Sequence, residues 1–327
     1  MSTPTAPEQA GTRALSCYTA NLARYLLRDD PDALDAIARS VRLAVRVDPA
    51  GDALAVSHHA VPLHELPRDG VLAHASAATG ESALAGVAEE LDRHGQVLVA
   101  ASSAALPWSV ALPEDSAPHL LLVDGRGSSR WHVVDDFSAL LPEGRQEPFE
   151  GWLEDAALLS AMAPPAAPEP EHRVRDEHLF GVPVPPPPAD RHRWFVLGSP
   201  GRSSPGLPGD WLRGADAIGA LSEFWSGVGE HPGRARFLDD VWAASQHHTF
   251  RYARLLHTRQ PSDQDAETFL AASAAWRDLP MALHFAVRSA ERGRSRPSVV
   301  KATFDHLLAV ETAARRVIGH YGYLSTT

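Results

Sequence analysis

An α+β fold followed by a separate α-helical region is what three features of this 327-residue sequence predict. The first half opens on helical spacing and then turns to short apolar strands joined as a hairpin. A proline-dense stretch interrupts that pattern near residue 160. From about Trp211 to the end, apolar residues recur three and four apart. With 44% apolar and 22% charged residues, the chain can bury two cores and has no compositional mark of disorder.

Taken in order, "MSTPTAPEQAGTR" (1–13) has no apolar periodicity and reads as a flexible tail. Apolar residues at 15, 18, 22, 25 and 26 predict a helix over 15–27. "DDPDALDAIARSVRLAVRV" (29–47) reads as a second helix, with Asp30 or Asp32 as cap and Pro31 in the first turn. "DALAVSHHAVPL" suggests one or two strands. Ser82–His94 forms an amphipathic run stopped by Gly95, where a left-handed residue costs little. "QVLVAAS" follows as a buried strand. "HLLLVDGRGSSRWHVVDDF" has hairpin form, with strands 119–123 and 130–135 around a turn rich in Gly and Ser. Residues 161–210 hold the prolines, with Pro185 to Pro188 suited to polyproline II, and predict a linker or strap. The expected division is therefore an α+β domain over 1–160, the linker over 161–210 and a helical domain over 211–327.

A net charge of −11 argues against nucleic-acid binding, which calls for a basic face. No apolar run approaches the 18 residues of a membrane span, so a cytoplasmic protein with no membrane partner is expected. The single cysteine, Cys17, rules out an internal disulfide and any zinc site built on several thiolates. No metal or bound cofactor is expected.

Cys17 sits one step inside the start of its helix, where free amides and the helix dipole favour a thiolate. By position alone a lone helical cysteine is more often a small apolar filler. His119 starts one strand of the hairpin, and Asp135 and Asp136 close the other. Antiparallel pairing brings such ends side by side, as a carboxylate must be to hold an imidazole's tautomer. Without the cysteine, a strand-edge histidine and two turn aspartates would explain the same residues. Asn21, four residues after Cys17, is a polar wall of the site or an ordinary surface amide. His58, His59 and His64, and the pair His247 and His248, lack metal-ligand spacing and read as exposed or capping. "GSPGRSSPGLPG" lacks the strand–GxxxxGK[ST]–helix context of a phosphate loop. Arg288, Arg292, Arg294, Arg296 and Lys301 form either a solvated loop or a basic patch for an acidic partner.

The order "SCYTANLARYLL", "LDRHGQVLVAASSAALPW", "HLLLVDG" and "WHVVDDF" resembles the butirosin biosynthesis protein H family. Its N-terminal domain is a relative of the papain-like peptidases that process double-glycine leader peptides. Cys17, Gly95 to Val99, Leu106 to Trp108, His119 and Asp135 fall on the family's motif positions. "TFRYARLLHTRQ" and "AASAAWRDL" resemble the helical domain that often accompanies it. The "V-D-G-R-G" stretch departs from the usual "G-Y-D" continuation. Asp135 is preferred to Asp136, because in the family the carboxylate directly follows the "h-V-V" run. The resemblance implies a papain-like domain with a Cys17–His119–Asp135 triad. Its oxyanion hole would use the Cys17 amide and an upstream side-chain amide, for which Gln9 is the only glutamine available. It implies transfer of an acyl group from an acyl or peptidyl carrier-protein thioester, through a Cys17 acyl-enzyme, to a small-molecule amine. Thioesterase, cyclase or peptidase activity with the same triad, or a non-catalytic carrier-binding scaffold, are the competing readings.

Overall fold

The computed structural model describes residues 15–48, 50–110, 117–141, 144–164, 169–199 and 206–323. The expected tail at 1–13, Gln9 within it and residues 200–205 of the glycine-rich "GSPGRSSPGLPG" lie outside the described residues. The chain is mixed α+β, with a sheet region and a C-terminal helical region. In order run α1 (Cys17–Leu27), α2 (Ala33–Ser40), β1 (Val41–Val47), β2 (Leu54–His59), β3 (Val71–Ala77), α3 (Gly80–His94), β4 (Val97–Ser102), β5 (Pro118–Arg126) and β6 (Arg130–Asp135). Then follow β7 (Ala139–Leu141), β8 (Gly144–Gln146), β9 (Phe149–Glu154), α4 (Asp155–Ala161), α5 (Pro170–His178) and β10 (His192–Gly198). The last part comprises β11 (Leu212–Arg213), α6 (Gly214–Ser226), α7 (Leu238–Arg259), α8 (Asp263–Glu291) and α9 (Pro297–Ile318).

These elements form two compact units. The first comprises Met1–Leu34, Pro62–Leu179 and Val184–Ser204. Its centre is an antiparallel six-stranded sheet in the order β3-β10-β4-β5-β6-β9. Val87 and Leu91 of α3 share a core with Val97, Val99, Leu121, Val123, Trp131 and Val133 of the sheet. Each such side chain contributes about 1.5–3 kcal/mol by leaving water. Thr79 caps α3 by accepting from the Ser82 amide, and Gly95 ends it at φ 69°. Gly86 lets α3 lie close to β10, since a Cβ there would fall 2.2 Å from the Trp194 ring.

The second unit comprises Asp35–Val61, Phe180–Pro183 and Pro205–Thr327. A three-stranded sheet, β11-β1-β2, accompanies helices α6 to α9. Phe269, Trp276, Leu279 and Leu283 of α8, and Phe304 and Leu307 of α9, are fully buried. Arg251 of α7 is buried too. Its guanidinium donates to the Val41 carbonyl at 3.2 Å and the Tyr323 carbonyl at 2.8 Å.

Two expectations need correction. The helix expected over 29–47 ends at Ser40, and Val41–Val47 is a strand paired with β2. Valines at 41, 45 and 47 suit a pleated surface better than a helix, and Arg42 and Arg46 alternate with them. The boundaries at 160 and 210 also differ. Residues 35–61 group with the helical unit, and the expected linker contributes α5 and an interior strand, β10. Seven residue pairs with β3 hold β10 in the sheet, a pairing more than a hundred residues long-range.

Candidate active site

Helix α1 starts at Cys17. Ser16 caps it by accepting from the Thr19 amide, and the first helical bond runs from Ala20 N to the Ser16 carbonyl. The cysteine, half-buried, thus sits on the first turn, where helix amides point outward. Its sulfur lies 3.8 Å from the Pro118 carbonyl, at the start of β5. His119 is the next residue, and the Cys17 sulfur is near enough to its ring to act on it electrostatically.

The hairpin supplies the other partner. The Leu122–Val134 pair fixes the register of β5 and β6 and places Asp135 across from the His119 end of β5. His119 Nε2 and Asp135 Oδ2 are 2.9 Å apart, and both side chains are buried. The structure therefore joins His119 to Asp135. Asp136, also buried, donates its backbone amide to Asn21 Oδ1 at 2.9 Å.

Among the described residues, each hydrogen-bond partner of the Asp135 carboxylate is a donor. Oδ2 accepts from His119 Nε2 and from Trp108 Nε1 at 2.9 Å. Oδ1 accepts from Asn21 Nδ2 at 3.0 Å and from the Phe137 amide at 3.1 Å. A protonated acid would have to donate and finds no acceptor in this set, so Asp135 is a carboxylate. Burial pushes its pKa up, but His119 and these hydrogen bonds bring it below the usual value. His119 Nε2 accordingly carries a proton and donates it to Asp135 Oδ2. Burial by itself lowers the His119 pKa. The Asp135 charge and then the Cys17 sulfur outweigh burial and raise it to about 10. The Asp135 carboxylate therefore favours the imidazolium form of the ring.

Sequence reasoning named two further contributors without assigning them a role. Asn21, open between polar wall and surface amide, is wholly buried and also donates to the Leu120 carbonyl at 2.7 Å and the Cys17 carbonyl at 3.2 Å. Its i,i+4 relation to Cys17 was the available signal. Trp108 stacks on Phe149 with ring centroids 3.8 Å apart, which aims its indole N–H at Asp135. Alongside, the Tyr18 hydroxyl donates to Asp176 Oδ1 at 2.8 Å, and Asp176 pairs with Arg193 at 2.8 Å. This carboxylate comes from α5, inside the proline-dense stretch.

The remaining histidines depart from expectation. His59, His64, His247 and His248 are buried rather than exposed. In the second unit, His247 stacks on His58 at 4.9 Å and meets the edge of His59 at 4.8 Å. Ring stacking between β2 and α7, rather than hydration, is what the adjacent pairs serve. Among the described residues no group of three or more His, Cys, Asp or Glu could hold a metal ion. No described helix is long and apolar enough to cross a membrane. Arg288, Arg292, Arg294, Arg296 and Lys301 lie exposed about the turn between α8 and α9. Arg288 pairs with Glu291 at 3.0 Å, and Arg296 sits over the exposed ring of Phe285 at 5.8 Å.

No family model matches the chain, and no curated protein matches it.

Proposed function

We propose that the chain is a cysteine-dependent acyltransferase whose first unit is a papain-like domain and whose triad is Cys17, His119 and Asp135. One observation carries this reading: a half-buried cysteine on the first turn of a helix lies at Pro118, the residue next to a buried histidine, and a buried, fully satisfied carboxylate holds that histidine's ring at 2.9 Å. A buried cysteine filler would need neither partner.

In the proposed reaction the Cys17 thiolate attacks the carbonyl carbon of a carrier-bound thioester. His119 gives its proton to the departing pantetheine thiol, and an acyl-Cys17 thioester remains. Neutral His119 then takes a proton from the incoming amine as its nitrogen attacks the acyl carbon. The amide leaves, and the thiolate–imidazolium pair is restored. Asp135 keeps its charge throughout and stabilises the imidazolium. The Cys17 amide at the helix start supports an oxyanion site. One thioester exchanges for another and then yields an amide, so the sequence of steps is downhill without nucleotide or metal. The exposed arginines of the α8–α9 turn support an acidic carrier protein as donor. A cytoplasmic setting fits that donor.

The test is incubation of the protein with acylated pantetheine thioesters and a panel of small amines, beside Cys17→Ala. An amide product from wild type alone is expected. Free acid or a cyclised chain in its place would make the protein a thioesterase or cyclase. Equal behaviour of wild type and Cys17→Ala would overturn the enzymatic reading in favour of a scaffold.

A further inference from the structure

We infer that Asn21 is a positioning residue that locks the Asp135 carboxylate and the helix of the nucleophile into one register. The inference rests on the reading of Cys17 as the reactive group and adds a residue that acts only through Asp135.

The argument begins with what one primary amide can do. Asn21 offers two N–H donors and one carbonyl acceptor, and at full burial each must find a partner. Nδ2 reaches Asp135 Oδ1 at 3.0 Å, the Leu120 carbonyl at 2.7 Å and the Cys17 carbonyl at 3.2 Å. Oδ1 accepts from the Asp136 amide at 2.9 Å. These partners leave one orientation for the amide: exchanging its nitrogen and oxygen would set the carbonyl against three acceptors and the NH₂ against a donor. A single side chain therefore touches the peptide of the nucleophile, the strand of the base, the acid and the peptide after the acid.

Its effect on Asp135 is specific. The terminal torsion of an aspartate is broad, so the carboxylate plane is set by its partners. Asn21 and the Phe137 amide occupy Oδ1, which turns Oδ2 toward His119 and Trp108. Loss of Asn21 leaves Oδ1 with one donor and frees the carboxylate to rotate away from His119. It also removes the amide that ties α1 to β5 at Leu120. An amide serving only the backbone would satisfy the Leu120 and Cys17 carbonyls and would leave the imidazole unaffected.

The experiment reads the second-order rate of Cys17 alkylation by iodoacetamide from pH 6 to 9 in the full chain. Wild type, Asn21→Leu, Asp135→Asn and the double variant form a cycle. Leucine fills the space of asparagine without its polar atoms. Asn21→Asp is the second variant: it keeps the shape and the acceptor for the Asp136 amide, but sets a like charge beside Asp135. We expect both single changes at Asn21 to lower the rate at pH 6 by about tenfold and to move the profile toward that of free cysteine. The double variant should match Asp135→Asn alone. Rates that multiply across the cycle, or a wild-type profile in an Asn21 variant that folds, would overturn the assignment. A wild-type profile that His119→Ala leaves unchanged would instead remove the reactive assembly itself, and the role of Asn21 with it.

Discussion

Replacing Asp135 with asparagine is expected to slow acylation of Cys17 by roughly 10²–10⁴-fold. Four donors surround the carboxylate, and an asparagine can present only one oxygen to them. Its NH₂ group must face a donor on one side, at a cost of about 1–3 kcal/mol in stability. The larger effect is on the imidazole. Without the Asp135 charge, burial dominates and His119 loses the proton that it holds to about pH 10. The pH dependence of stability has a definite sign. An imidazole of ordinary pKa 6.5 when unfolded, raised when folded, stabilises the native state fully below pH 6.5 and loses that contribution as pH rises toward 10. Urea unfolding of wild type should therefore show a decline over that alkaline window that Asp135→Asn lacks. Equal slopes for the two proteins, with unchanged acylation, would contradict the account of the dyad.

The second unit is expected to be sensitive to mild acid. Burial lowers His59 well below its ordinary value, and lowers His247 and His248 to about 3. Arg42, Arg251 and Arg315 add positive charge around them, His58 further disfavours protonation of His59 and His247, and Glu311 opposes the trend at His248. Glu311 is held to about pKa 2 by His248, Arg251 and Arg315, against its own burial, and it accepts from Tyr252 at 2.7 Å and Trp276 at 2.8 Å. Among the described residues, His59 Nε2 and both ring nitrogens of His248 have no hydrogen-bond partner. The unfolded chain takes up protons below pH 6.5 that these folded rings refuse, so stability falls as pH drops. From pH 7.5 to 5, His247 and His248 each remove about 2 kcal/mol, a large share of an ordinary domain's stability. Amide hydrogen exchange in α7 and α8, corrected for intrinsic rates, should accelerate over this range. His247→Phe, which keeps a ring beside His58 and His59, should flatten part of the slope. A profile equally flat in wild type would refute the prediction.

What was legible in the sequence follows from how local each signal is. Helix α3 announces itself by Thr79, its periodicity and Gly95, all within one segment. The β5–β6 hairpin likewise carries its strands and turn within twenty residues, and with them the meeting of His119 and Asp135. Strand β10 was hidden because its neighbours, β3 and β4, lie about a hundred residues away and the prolines around it suggest a linker. In Val41–Val47, apolar positions fit helix and strand alike over so short a run, and the pairing with β2 decides. At the site, residue types and order pointed to Cys17, His119 and the Asp135–Asp136 pair, and the resemblance preferred Asp135. The roles of Asn21 and Trp108 depend on side-chain directions across three elements, which spacing along one element does not encode.

The measurement that bears most directly on the proposed nucleophile is intact-protein mass spectrometry after exposure to acylated pantetheine thioesters, with no acceptor added. Wild type is expected to gain the mass of one acyl group, mapped to the peptide containing Cys17, while Cys17→Ala gains none. No adduct across a broad acyl panel, together with a thiol alkylated no faster than free cysteine, would return Cys17 to the role of an apolar filler and contradict the acyltransferase account.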